Sequence, residues 1–452
     1  MSDYQETHSL TAFLYGISGP ILPKKVIDIS KMCVEDFLGA AIAGSQKRES
    51  QIWKSYYSQF PDRPESTALE PGFCRHQAET SAALNAVFGH VMDVDDVHNA
   101  SITHLGAVTI PTALALGQSL KKSGLEVITA IVAGYEAGAR IGEAINPSSY
   151  RYWHTTGAVG AYASGTAAAK LLSLTEIQLI NCLGSAGTQA AGLWEFLHNG
   201  SMSKVLHTAN ANLCGIRSAR LAALSFTGAD TILEGERGFV KALAPEYNLS
   251  CLTRNFGYPY RIEENSFKPY ACCRHTHSAG YCMEQILKDH VLIPEEILSI
   301  QEDTYDTAVK TVNNPYPENP YAAKFSIQFC LAAAILFNDL SDNVFCQENI
   351  EDPRVRELME KIHIRTDPEL DAVFKAHPDQ WTHRLTITMK NGEILTRQVD
   401  YPLGDAKNPF DWEVADRKFR LLTEELIGKE QAERLLTQLH RLEELEDINE
   451  LL

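Results

Sequence analysis

The stretch at residues 157–172, GAVGAYASGTAAAKLL, places the tightest constraint on the fold. Side chains this small let helix axes approach closely, so the run predicts a central helix packed on all sides by others. Its surroundings agree. In EVITAIVAGYEAGARIGEAI (126–145), Val127, Ile131, Tyr135 and Ala139 recur at helical spacing and define a buried stripe. Residues 175–192 and 205–224 continue the pattern.

The character changes near residue 265. In HRLTITMKNGEILTRQV (383–399), Leu385, Ile387 and Met389 alternate before Asn391-Gly392, a dipeptide that predicts a type I′ hairpin. Residues 297–309 and 361–367 read as further strands, with a helix over 322–337 between them. Two amphipathic, heavily charged helices follow at 411–427 and 429–445. The expected architecture is mainly α: a large all-helical domain built from both chain ends (1–264 and 405–452) and a smaller α+β lid (265–404). At 452 residues the chain exceeds one ordinary core, consistent with that division.

A net charge of -18 repels both phosphate backbones and anionic membranes, which argues against nucleic-acid and membrane partners. An anionic small molecule stays compatible only where Lys, Arg and His converge locally. The opening MSDYQETHSLTAFLYG lacks the pattern of a secretory signal, and no stretch approaches the roughly 20 apolar residues of a membrane span. The ten cysteines form no CxxC pair, so reduced thiols in a cytoplasmic setting are expected.

Four segments carry chemistry. HVMDVDDVHNASITH (90–104) mixes Asp93, Asp95 and Asp96 with His90, His98 and His104; such a set can hold a metal or tune a histidine, and equally can be capping aspartates in a solvated loop. His154 precedes the small-residue helix, where an anion can bind, or else is a hydrogen-bonded core histidine. Lys204 and His207 share a helix face; the lysine either reaches a cavity or, as most lysines do, stays exposed. FKPYACCRHTHSAG gathers Lys268, Arg274, His275 and His277 around Cys272-Cys273; the spacing fits carboxylate recognition better than zinc.

Together these segments resemble the MmgE/PrpD family nearly end to end. The residues that carry the resemblance include GHVMDVDDVH (89–98), WHTTGAVGA (153–161), SKVLHTANANLCGI (203–216), FKPYACCRHTHS (267–278) and YPLGDAKNP (401–409). The resemblance implies a helical body with an α+β lid, a homodimer, and neither metal nor organic cofactor. It implies a lyase acting on a small polycarboxylate, first of all 2-methylcitrate dehydratase-like, with cis-aconitate decarboxylase-like or iminodisuccinate epimerase-like activity as alternatives. From other classes, a metal-dependent His/Asp hydrolase and a non-catalytic binding protein stay open. Carried over by position, Asp93, His104 and His154 become the catalytic residues. Lys204, Lys268, Arg274, Cys273 and His277 become substrate-binding residues. Cys273 stands where the animal decarboxylases have histidine, and Val97 where they have threonine.

Overall fold

The computed structural model describes residues 5–452. The first four residues, part of the opening stretch weighed for a secretory signal, lie outside it. The described chain is mainly α, with one four-stranded sheet and two short two-stranded ladders.

The small-residue run forms the helix Thr155–Leu171, surrounded by the helices Leu105–Ser119, Gly124–Ile145, Glu176–Gly187 and Lys204–Ala223. Close approach is visible at Gly160, where a β-carbon would lie 2.7 Å from both Ala211 Cβ and Val108 Cγ1, and at Gly215, where it would lie 2.3 Å from Ser164 Oγ. Pro111 interrupts the hydrogen-bond ladder inside the helix Leu105–Ser119. The carbonyl it leaves without a helical donor, that of Ala107, accepts instead from Asn212 Nδ2 at 2.9 Å. Asn212 Oδ1 in turn accepts from Thr112 Oγ1 at 2.7 Å, and the Thr112 hydroxyl also bonds Ser164 Oγ at 2.7 Å, tying three core helices together.

The sheet runs Ile362–Thr366, Ile297–Thr304, His383–Met389, Ile394–Val399; the first pair is parallel and the others are antiparallel. The expected hairpin forms, but not through a type I′ turn. Gly392 has positive φ and Asn391 does not; the Met389 carbonyl accepts from Gly392 N, and Met389 N donates to the Glu393 carbonyl. That is a type I turn closed by a glycine bulge, with Asn391 Oδ1 accepting from Glu393 N. The strand expected over 297–309 stops at Thr304, where its pairing with Thr366 ends, and Asp306–Val312 is helical. The helix expected over 322–337 is broken in two. Ser326 accepts from Phe329 N and starts a new helix, Ile327–Phe337.

The C-terminal helix Trp412–Ile427 packs on the helix Lys24–Gly44, with Phe419 against Gly39 and the Lys418 ammonium 2.7 Å from the Val94 carbonyl. The next helix ends at Leu439, short of the expected 445, and a 3-10 turn follows at Leu442–Glu444. A two-residue ladder pairs Val97 with Ser266 and His98 with Asn265, which brings the aspartate loop against the segment that leads to Lys268. No helix of the described residues is long and apolar enough to cross a membrane.

Candidate active site

The helix Ala78–His90 ends just before the aspartate loop, and Asp93 takes a left-handed backbone (φ 60°), a conformation aspartate tolerates better than most residues. This turn points its carboxylate inward, 1 % exposed. Lys204, first residue of the helix Lys204–Ala223, donates to Asp93 Oδ2 at 2.8 Å. Lys268 reaches it from the segment after Asn265–Ser266, donating to Oδ1 and, at 2.9 Å, to the Asp93 carbonyl. Burial opposes the charge on Asp93, but the two ammonium groups outweigh it and hold the pKa well below the ordinary range. The same partnership raises the Lys268 pKa, although burial pulls it down. Lys204 is therefore no solvated surface lysine: it is 2 % exposed, with its ammonium 5.0 Å from the centre of the Phe325 ring.

Asp95 organises the histidines. His90 Nδ1 lies 2.8 Å from Asp95 Oδ2, and His104 Nδ1 lies 3.3 Å from the same oxygen and 2.9 Å from the Asp96 carbonyl. Both partners of His104 Nδ1 are acceptors, so Nδ1 carries the proton and the neutral ring presents a free lone pair on Nε2. Burial, against the opposing charge of Asp95, lowers the His104 pKa and keeps the ring neutral. His154 Nδ1 faces His207 Nδ1 at 3.0 Å, a contact that requires one ring to donate to the other. Burial, His207 and Lys204 hold His154 well below its usual range. The His90, His104 and His154 rings lie within 4.7–6.3 Å of each other, centre to centre.

The structure thus brings Asp93, His104, His154, Lys204 and Lys268 into one cluster. Cys273 lies beside it, its thiol pushed up to about 12 by burial and by Asp93. Arg274 and His277 are engaged elsewhere. Arg274 pairs with Asp405 at 3.3 Å and contacts His277 Nδ1, and His277 Nε2 meets the Cys272 carbonyl at 3.2 Å. His98 is bonded to Ser101 Oγ.

Three contributors went unweighed in the sequence. Lys324 binds the Met92 carbonyl and Asp342, fixing the residue before Asp93. Trp194 lies 4.7 Å from the His154 ring, and Tyr150 packs edge-on to Trp194 at 4.9 Å and to His275 at 5.8 Å. The last two also line a groove of about 570 Å³, together with Arg151, Lys310, Lys375, Glu246 and Asp306. A lysine beside an aromatic in AAKFS, and aromatics flanking a histidine, were the available signals.

Two donor sets here have metal-ligand spacing: His90, His104 and His154, and Asp93, Asp95 and His104. The second fits a cation poorly, because both Asp93 oxygens already face lysine ammonium groups. The first offers free imidazole nitrogens, but Lys204 stands close enough to depress the pKa of His90 and of His154, and would repel a cation too.

Lysines, aspartates and imidazoles thus gather in one buried cluster, supplied by the aspartate loop, the ends of several helices and the segment that carries Lys268. Residues 8–252 match the MmgE/PrpD N-terminal domain and residues 270–444 the MmgE/PrpD C-terminal domain; the chain belongs to the MmgE/PrpD family. It is similar to cis-aconitate decarboxylase of Homo sapiens, 26% identical with 98% of this chain and 92% of that one covered. It is 25% identical to cis-aconitate decarboxylase of Aspergillus terreus, with 95% and 92% covered. A mitochondrial 2-methylcitrate dehydratase of Yarrowia lipolytica is 26% identical over 24% of this chain and 22% of its own length.

Proposed function

We propose that this chain is a cofactor-independent lyase that acts on a small polycarboxylate by moving a proton at a carbon next to a carboxylate. One observation carries the reading: two lysines from distant parts of the chain converge on Asp93 beside a His104 whose tautomer leaves Nε2 unprotonated. The trio of one carboxylate and two ammonium groups keeps a net positive charge inside a strongly negative protein. Substrate carboxylates bind there, and fixing them positions the adjacent C–H against His104. His104 Nε2 takes the proton; the lysines stabilise the charge that develops on the carboxylate. His154, coupled to His207, delivers a proton on the other side of the cluster. Trp194 both lines the groove and packs on the His154 ring, which makes the groove the proposed access to the cluster.

Dehydration is the first reading, because it needs two proton-handling groups and the site holds two separate imidazole systems. Decarboxylation is the second, favoured by the end-to-end similarity to decarboxylases. The proposal includes a homodimer and a cytoplasmic setting, in keeping with ten cysteines that are all unpaired. Incubation with a panel of di- and tricarboxylates, read by mass and by deuterium uptake from heavy water, tests it. Loss of water supports dehydration, loss of carbon dioxide supports decarboxylation, and exchange without loss supports epimerisation. Absence of all three across the panel would leave only a binding protein. Metal that chelation removes together with activity would favour the hydrolase reading instead.

A further inference from the structure

Glu35 lies on the helix Lys24–Gly44, fully buried, and neither of its carboxylate oxygens has a hydrogen-bond partner. A carboxylate withdrawn from water without a donor must be neutralised, by a proton or by a cation. Burial and the neighbouring Asp416 and Asp36 push the Glu35 pKa up to about 9, so without a metal a proton neutralises it, and a cation would displace that proton. His440 Nε2 lies 3.7 Å from Glu35 Oε2 and 2.9 Å from Asp416 Oδ1, and one ligand atom of each of the three residues falls within 4.8 Å of the other two. Metal–ligand bonds of about 2.1 Å at tetrahedral angles set ligand atoms roughly 3.4 Å apart, between the two separations observed.

We infer that Glu35, Asp416 and His440 form a structural cation site that takes a divalent transition metal of the zinc class. Two carboxylate oxygens and one imidazole nitrogen suit zinc better than calcium, which prefers oxygen ligands throughout. His440 is 37 % exposed on its side chain, so the fourth position opens to solvent and a water completes the shell. His440 Nε2 and Asp416 Oδ1 are hydrogen-bonded to each other, a contact the metal would replace, and the nearby cations are engaged elsewhere. Arg420 approaches the other Asp416 oxygen at 3.6 Å, Lys418 pairs with Asp36, and Lys31 takes the His440 carbonyl rather than its ring. Trp412 packs 4.6 Å from the His440 ring and limits its rotation. The three ligands come from an N-terminal helix, the helix Trp412–Ile427 and the end of the helix Lys429–Leu439, so the ion would clasp the chain's two ends together.

The test strips the full-length protein with a chelator, then adds zinc ions to wild type, Glu35→Gln and His440→Asn. Equilibrium dialysis counts bound zinc and thermal unfolding measures its effect. The expected result is one more zinc per chain in the wild type than in either variant, with a zinc-dependent rise in Tm that both variants lose. Zinc held by the histidines near Asp93 would be the same in all three proteins, so the difference isolates this site. Equal stoichiometry and equal Tm shifts in all three would overturn the inference and leave Glu35 neutralised by a proton. If circular dichroism shows Glu35→Gln misfolded, His440→Asn, altered at a partly exposed position, decides alone.

Discussion

The loop at 90–104 and the segment at 267–277 draw on similar side chains and bury them by opposite means. In the loop, charge answers charge: Asp93 is held by two lysines, and Asp95 by the N–H groups of two imidazoles. In the second segment Lys268 and Arg274 are also ion-paired, but at His275 packing replaces charge. His275 lies flat on Trp381 at 4.3 Å, bonds Tyr305 at 2.6 Å, and has no carboxylate partner. Burial, His383, Lys268 and His104 drive its pKa down to about 3. Arg274, next to it, is already matched by Asp405. A count of cations in a segment therefore overstates the charge offered to a ligand. What matters is which cations keep a partner they can share.

The sharpest way to break this comparison is at the proton-handling end of the loop. His104→Ala should lower turnover about a hundredfold or more with the circular dichroism spectrum unchanged. Near-wild-type turnover would remove His104 from the chemistry. The charge pairing itself is tested next. Lys268→Met strands a buried carboxylate with one partner and should cost about 3–5 kcal/mol in urea unfolding, whereas Lys268→Met with Asp93→Asn should cost clearly less than the sum of the single changes. Additive costs would mean that the pair is not energetically coupled.

Much of this was legible in the sequence, for reasons that differ by residue. Gly160, Ala161 and Ala163 announce close helix packing through size alone, and the structure surrounds them with helices. Leu385 and Ile387 announce a strand through alternation. The turn at Asn391 was misread because the dipeptide permits two geometries and the Asn391 side chain selects one. Lys204 and Lys268 could be nominated by motif, yet nothing local shows that they meet on Asp93 across 111 and 175 residues. The fate of Arg274 was hidden for the same reason: Asp405 lies 131 residues further on.

The two modes of burial should also separate under acid. His275 has a folded pKa of about 3 against an ordinary value of 6.5, so only the unfolded chain gains its proton between those limits. Its contribution to stability is complete above pH 6.5 and is lost as pH falls toward 3. His275→Gln deletes that linkage. Between pH 6.5 and 4, the stability of the variant should fall less steeply than that of the wild type, by up to about 1.4 kcal/mol per pH unit. Urea titrations at several pH values read this slope difference. Parallel slopes would show that His275 titrates alike in both states, and the proposed neutral burial would be wrong.

The smallest effect belongs to the hydroxyl that anchors this ring. Tyr305 is fully buried, stacked 4.2 Å from Phe374, and its oxygen is the hydrogen-bond partner of His275 Nδ1. Nε2 of His275 has no partner, so Tyr305→Phe leaves both ring nitrogens unsatisfied. The loss should cost about 1–3 kcal/mol, the range for stranding one buried polar atom. The Trp381 stack should still hold the ring in place, since that contact does not involve the hydroxyl. Turnover should therefore change far less than in His104→Ala. A stability loss as large as that of Lys268→Met would mean that this segment, like the loop, depends on polar pairing rather than packing, and the contrast between the two regions would fail.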